Sequence, residues 1–378
     1  MNKEEAYWIT LAHLPRWGYA KINNIIFKFH HDYKISIEEF FQLSDLELRD
    51  LYSLEQKDII SLNQAKLEIP NNAFIAESLV NEGYELIPII SSEYSNTLKE
   101  NLKLQHSPSL LYIKGDKQIL QENSIAIVGS RDASEISLQF ADNIAKMASQ
   151  ENKVVVSGFA KGVDKQALDS VLKYNGRSII VLPQGIATFD SGFRTYYKPL
   201  VGGDLLVLSV FPPKATWNTG FAMARNPIIY GLANEIYVAE SSEKGGTWSG
   251  AIDGLKKGRN IYVRNVTEEE NNANQLLIEK GGIAIDNFGE RINTYHLKEE
   301  LEIDIVNDSK VNYEDKIVEL LYNGQYAVKD IIKILKLDLT EKKVRDILKQ
   351  RKDVEITCKK PLKFTMKDCR VKQITIDI

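Results

Sequence analysis

The stretch IAIVGSRDAS, residues 125–134, carries an arginine where a nucleotide-binding turn would place a second glycine. Gly129, Ser130 and Arg131 form a short turn in which a small residue admits an anion and a cation meets it. Other loops share this make-up. SGFAKGVD supplies Ser157, Gly158, Lys161, Gly162 and Asp164, and FAMARNP supplies Arg225 and Asn226. PQGIATFDSGFR adds Gly185 and Arg194, and ESSEKGGTWSGA adds Gly245, Gly246 and Thr247. Small residues let a phosphate approach the backbone, helix N-termini present N–H donors, and Arg or Lys neutralises the charge. Together these residue types support the binding of a phosphate-bearing ligand. Each also has a plain structural reading: a glycine turn joins strand to helix, Asp164 accepts bonds from turn N–H groups, and Arg225 braces a carboxylate.

The same region excludes other chemistry. Between Asp116 and Arg291 there is no histidine and no cysteine; the histidines are His13, His30, His31, His106 and His296. A cysteine nucleophile, a histidine base and a His-ligated metal therefore have no source there. GSRDAS does not match G-x-G-x-x-G, and G-x-x-x-x-G-K-[ST] is absent, which argues against hydride transfer and P-loop hydrolysis. No cofactor and no metal is expected. Cys358 and Cys369 read as ordinary free thiols.

These loops must be held by a scaffold, and the sequence spells one out. Apolar, β-branched runs occur at IAIV (125–128), KVVVS (153–157), SIIVL (178–182), DLLVLS (204–209), EIYVAE (235–240) and NIYVR (260–264). Helical spacing separates most of them: Ile136, Phe140, Ile144 and Met147 share one face, as do Val163, Ala167, Val171 and Leu172. Continuous apolar strands alternating with amphipathic helices predict an α/β fold, a Rossmann-like doubly wound parallel sheet covered on both faces. In such a sheet ligands bind beyond the carboxyl ends of the strands, where all of these loops lie.

Residues 1–72 read as a helical domain of helix-hairpin-helix or SAM-like type, with EAYWITLAHL, YAKINNIIFKFH, SIEEFFQL and SDLELRDLYSL as helices. Its turn LPRWGYAKI is either a phosphate-facing hairpin or a plain helix corner. The core spans 73–288; within it FIAESLVNEGY reads as helix, ELIPII as strand and SSEYSNTLKENLKLQHSPSLLYIKG as loop. Residues 289–310 read as a linker. Residues 311–378 show three helices and a hairpin, the order of a winged helix.

Charge divides along similar lines. Lys310 to Ile378 hold 17 Lys plus Arg against 11 Asp plus Glu, whereas the preceding residues hold 31 against 41. A basic tail on an acidic body is one mark of a nucleic-acid or acidic-partner surface. With 43% hydrophobic and 26% charged residues, and no apolar run of membrane-spanning length, a globular cytoplasmic protein without membrane association is expected.

IAIVGSRDAS, VVVSGFAKGVDKQALD, IIVLPQGI, FAMARNPIIYGLAN and VAESSEKGGTWSGA resemble, in order and spacing, the DNA-processing protein family DprA, also called Smf. The resemblance is dense over residues 85–285. It implies a Rossmann-like core that binds single-stranded DNA, dimerises through that core and helps load the recombinase RecA in natural transformation, with no catalysed reaction. It places Gly129, Ser130 and Arg131 in a GSR motif and Ser157, Gly158, Gly162 and Asp164 in SGxAxGxD, with Lys161 inside it; Arg225 and Asn226 begin an RNR motif. This chain departs at three points. RNR reads Arg225-Asn226-Pro227, the usual SE reads Ser209-Val210, and the usual SGS reads Gly245-Gly246-Thr247. The lost arginine removes one potential phosphate contact. Two readings compete with a non-enzymatic single-stranded DNA binder. One is a nucleotide-binding sensor; the other is a phosphoribohydrolase, for which GGTWSGAID lacks the needed glutamate.

Overall fold

The computed structural model describes residues 4–266, 270–292, 317–318, 320–321, 324–335, 337, 340–351, 354–359 and 362–366. They divide into two compact units, residues 1–292 and 293–378.

The first unit opens with α1 (Glu4–Ala12), α2 (Tyr19–Phe27), α3 (Ile37–Gln42), α4 (Asp45–Tyr52), α5 (Gln56–Lys66) and α6 (Ile69–Asn81). Helices this short need capped ends. Ser36 and Ser44 each accept from the backbone N–H three residues on, while Glu39 and Glu47 return the bond. The domain boundary expected between residues 72 and 73 falls inside α6, whose Ala76 and Leu79 share one core with Trp8 and Tyr112.

The apolar runs pair because strands hydrophobic on both faces need neighbours and cover. They are β3 (Ser124–Gly129), β4 (Val154–Ser157), β5 (Ser178–Val181), β6 (Leu205–Ser209), β7 (Glu235–Glu240) and β8 (Ile261–Arg264), joined by β1 (Glu85–Pro88), β2 (Leu110–Gly115) and β9 (Ile283–Ile285). The sheet order is β1-β2-β6-β5-β4-β3-β7-β8-β9. Pairing is parallel from β6 across to β9, but β2 runs antiparallel to both β6 and β1. The sheet is thus mixed at one edge rather than wholly parallel. The stretch read as a loop before it contains helix α7 (Asn96–His106) as well as β2.

Chain order reverses between β3 and β7, so the switch point of this sheet lies between them. One face is covered by α8 (Glu135–Gln150) and α9 (Val163–Lys173), which bury Phe140, Ile144, Ala167 and Val171 against Ile125, Ile127 and Val155. Ile136, expected on that face, is instead 50% exposed in the first turn of α8. After the small α10 (Asp190–Thr195) and α11 (Tyr197–Gly202) come α12 (Thr219–Leu232), α13 (Gly246–Lys256) and α14 (Asn274–Glu279). α12 and α13 set Ile228, Ile229 and Ala251 in the core that holds the alternate strand residues Ala126, Val128 and Val156.

In the second unit, α15 (Val328–Leu335) and α16 (Glu341–Gln350) accompany β10 (Tyr326–Ala327), β11 (Val354–Lys359) and β12 (Leu362–Met366). The strands form an antiparallel sheet of order β10-β12-β11 over a core of Val328, Ile331, Val344, Leu348 and Phe364. Most of the first expected tail helix, and the expected linker beyond Ile292, lie outside the described residues. Among the described residues no helix is long and apolar enough to cross a membrane, and no cluster of three or more His, Cys, Asp or Glu is placed to hold a metal ion.

Candidate polyanion-binding cleft

A cavity of ≈ 390 Å³ opens at the switch point, lined by Gly129, Ser130 and Arg131 after β3, Asp164 of α9, Arg225 and Asn226 of α12, and Gly245, Gly246 and Thr247 at the start of α13. A second cavity of ≈ 340 Å³ shares Arg131, Ala160, Ala222 and Arg225 with it and adds Gly158, Lys161, Gln184 and Trp217. The two make one groove over the carboxyl ends of the strands from β5 to β7. The sequence-predicted loops converge there, brought together from about 120 residues of chain by the parallel topology.

Arg225 lies at the junction. It is 3% exposed, its Nη1 stands 3.8 Å from Asp164 Oδ2, and its Nε and Nη1 have no hydrogen-bond acceptor. An ion pair at that length is too long for a hydrogen bond, so these guanidinium donors are buried and unsatisfied in a residue that lines the groove. Burial depresses the Arg225 pKa, while the Asp164 charge opposes the shift. Burial likewise raises the Asp164 carboxyl, countered by Arg225 and by N–H groups of Ala160 and Gly158. Each partner is stabilised less by the other than it is destabilised by leaving water. Both alternatives for Asp164 and Arg225 therefore apply: Asp164 is a turn acceptor, and Arg225 braces it while keeping free donors.

Gly158 is what lets the guanidinium lie there. A Cβ on it would stand 1.3 Å from Arg225 Nη1. Gly162 has φ +84°, and a Cβ would come within 2.4 Å of the Ser130 carbonyl oxygen, which the Val163 N–H reaches at 3.2 Å. The GSR and SGFAKGVD loops are thereby pressed together. Ser157 is corrected by the structure: it is fully buried, and its hydroxyl donates to the Asp164 carbonyl at 2.7 Å and accepts from the Phe159 N–H at 3.3 Å. It shapes the turn and does not face the groove. Lys161 reaches the surface, where it pairs with Asp132 at 3.1 Å, both side chains more than four-fifths exposed.

At the start of α13, Gly245 has φ +98° and no side chain caps the helix. Its first N–H groups are therefore donors toward the cleft, with a helix dipole behind them. Thr247 Oγ1 is held by the Gly129 carbonyl at 3.1 Å, tying this end of α13 to β3. Exposed Lys244 lines the rim. Pro227, where the RNR pattern has arginine, sits inside α12 and contributes no charge. α8 begins differently. Ser134, the expected N-cap, receives the Ser137 N–H, but the Glu240 carboxylate also occupies this end. Sequence reasoning missed Glu240 because its partners lie 103 and 106 residues away. It also passed over Trp217, 52% exposed and shortly before FAMARNP in the chain.

Fold and site together define a doubly wound α/β protein with a cation-bearing cleft at its switch point. The chain belongs to the DNA recombination-mediator protein A family, whose model matches residues 85–296, more than half of the chain. It is 29% identical over 183 residues to DNA processing protein DprA of Bacillus subtilis, a stretch spanning 48% of this chain and 61% of that protein. It is 30% identical over 161 residues to DprA of Streptococcus pneumoniae, spanning 43% and 57% of the two. The matched stretch therefore covers less than two thirds of either relative. The X-ray structure of S. pneumoniae DprA superposes on 76% of this chain and 96% of that one, with TM-score 0.57 at 23% identity, a likeness of fold.

Proposed function

We propose that the cleft binds the phosphate backbone of single-stranded DNA and catalyses no reaction, serving DNA processing in recombination. The observation that carries the reading is Arg225, a buried cation with unsatisfied N–H donors that lines a groove together with exposed Arg131 and the open start of α13. Phosphate oxygens satisfy such donors, and a groove extended across several strands suits a strand of linked phosphates. Exposed Trp217 at one end offers a face to an unpaired base. The acids of the cleft argue for binding over hydrolysis, since Asp164 and Glu240 are already committed to N–H groups, hydroxyls and a guanidinium. The family's description as recombination mediators, and the relatives' names, supply the DNA.

The proposal extends to RecA as the protein that receives the strand, and to a homodimer formed through the core. The helices and antiparallel sheet of the second unit support a winged-helix reading, with Lys342, Lys343, Arg345 and Lys349 exposed on α16. The test is a salt titration of full-length protein against oligo-dT and against duplex of equal length. The expected result is preference for the single strand, with log affinity falling linearly with log salt, and weaker binding by Arg131→Ala. Equal low-salt affinity of wild type and Arg131→Ala, or preference for duplex, would overturn the reading.

A further inference from the structure

Glu240 ends β7 beside the groove, and its Oε2 accepts from the Ser134 backbone N–H at 3.0 Å, Ser134 Oγ at 2.8 Å and Ser137 Oγ at 2.8 Å. The helix start after the first parallel strand is where doubly wound proteins commonly seat a nucleotide phosphate. Here a carboxylate of the chain itself holds that position.

The carboxylate is anchored from several sides. The β3–β7 register slips so that Gly129 pairs with Glu240 rather than Ala239. Ser137 Oγ, which donates to Glu240, accepts from Arg264 Nη2 at 3.0 Å. Arg264 is 1% exposed, donates Nε to the Ala239 carbonyl at 2.9 Å, and grips Glu270 with two nitrogens at 3.0 and 2.6 Å. Asn274 adds bonds to the Ala239 and Arg264 carbonyls and receives the Ser241 N–H at 2.9 Å. Moving Glu240 aside would strip acceptors from two hydroxyls and an N–H, and would disturb the hydrogen-bond network around buried Arg264 and Ser137.

We infer that Glu240 determines specificity: it is a built-in anion that closes the start of α8 to phosphate, so the cleft refuses the terminal phosphate of a mononucleotide and accepts an internal stretch of a polynucleotide over α13. The inference rests on the proposed reading of the cleft as a phosphate site. A phosphate at α8 would need both the donors that Glu240 uses and the space it fills, and would meet its negative charge. At α13 no carboxylate stands in for the ligand in this way.

The experiment compares full-length wild type, Glu240→Ala and Glu240→Gln by thermal unfolding in inorganic phosphate against chloride at matched ionic strength, and by calorimetry with dTMP. Glu240→Ala is expected to unfold at lower temperature than wild type, to recover saturably in phosphate but not in chloride, and to bind dTMP about tenfold or more tightly than wild type, the worth of a few charge-assisted hydrogen bonds. Glu240→Gln refills the space with an amide and is expected to show no phosphate response. Equal stabilisation of Glu240→Ala by the two salts, or dTMP binding by wild type as tight as by the variant, would overturn the inference. If Glu240→Ala does not fold, Glu240→Ser carries the same comparison. Oligo-dT binding in the same samples keeps the two ideas apart: failure of wild type to bind the oligonucleotide sinks the polynucleotide reading, whereas the phosphate rescue judges Glu240 alone.

Discussion

Two helices start at the same crevice, one on each side of the switch point, and their first turns are finished in opposite ways. α8 has a serine cap backed by the Glu240 carboxylate, so the Ser134 and Ser137 N–H groups are satisfied within the protein. α13 has a glycine at φ +98° and no side-chain cap, so its donors open onto the cleft beside the unsatisfied nitrogens of Arg225. Two strand-to-helix junctions of one sheet thus yield a closed end, capped by extended Ser134 at φ −64°, and an open one, capped by Gly245 at φ +98°. The difference comes in part from each helix's own cap residue, Ser134 against Gly245, and in part from Glu240, which β7 delivers to α8.

The largest way to break this contrast is Arg225→Met. Removing one partner of a buried pair leaves Asp164 charged and unpaired, with an expected loss of about 3–5 kcal/mol in urea unfolding and loss of oligo-dT binding. Adding Asp164→Asn should recover much of the stability but none of the binding. The single variant also carries a pH signature. Burial already raises the Asp164 pKa, and without Arg225 nothing comparable pulls it back. The folded state then holds its proton to higher pH than the unfolded state does. Stability should therefore fall as pH rises above the ordinary carboxylate range and return on acidification, the opposite of an ion-paired aspartate.

Arg131→Ala comes next. The side chain is exposed, so the unfolding midpoint should hardly move, while oligo-dT affinity falls and the log–log salt slope drops by about 1. On the closed side, Ser134→Ala should cost about 1 kcal/mol of stability with oligo-dT affinity unchanged, which would sharpen the division between the two helix starts. Lys161→Ala should have the smallest effect. Its pairing with Asp132 is solvent-exposed, so no change in unfolding midpoint is expected, and a modest loss of affinity at low salt would be the measurable result.

How legible each part was follows from where its determinants sit. All six apolar runs became strands because each carries its signal within four to six residues. α7 and β2 were read as a loop for a physical reason. NTLKENLKLQH is largely polar and buries only Leu98 and Leu102, and its backbone departs from helical angles at Lys103. LLYIKG follows directly on a serine- and proline-bearing turn, and its partners lie 22 to 28 residues before it in β1 and about 90 to 97 after it in β6. In the site, Gly129, Ser130, Arg131, Asp164, Arg225, Asn226, Gly245, Gly246 and Thr247 were all identifiable from sequence and all line one cavity. Ser157 shared their local pattern, yet its hydroxyl is spent within its own turn.

Sequence by itself determined the six apolar strands from β3 to β8, that their loops fall at one edge of a doubly wound sheet, and that those loops carry small residues and cations instead of nucleophiles or metal ligands. These properties are local: hydrophobic period, glycine and charge are written within a few residues. Tertiary structure alone decided the antiparallel edge, the burial of Arg225 against Asp164 with donors left over, and the closing of α8 by Glu240. The ion pair and the closing of α8 depend on groups 61 and 106 residues apart meeting within 4 Å, and the edge on β2 pairing with a strand more than 90 residues further on, which only the packing of the sheet and its helices brings about.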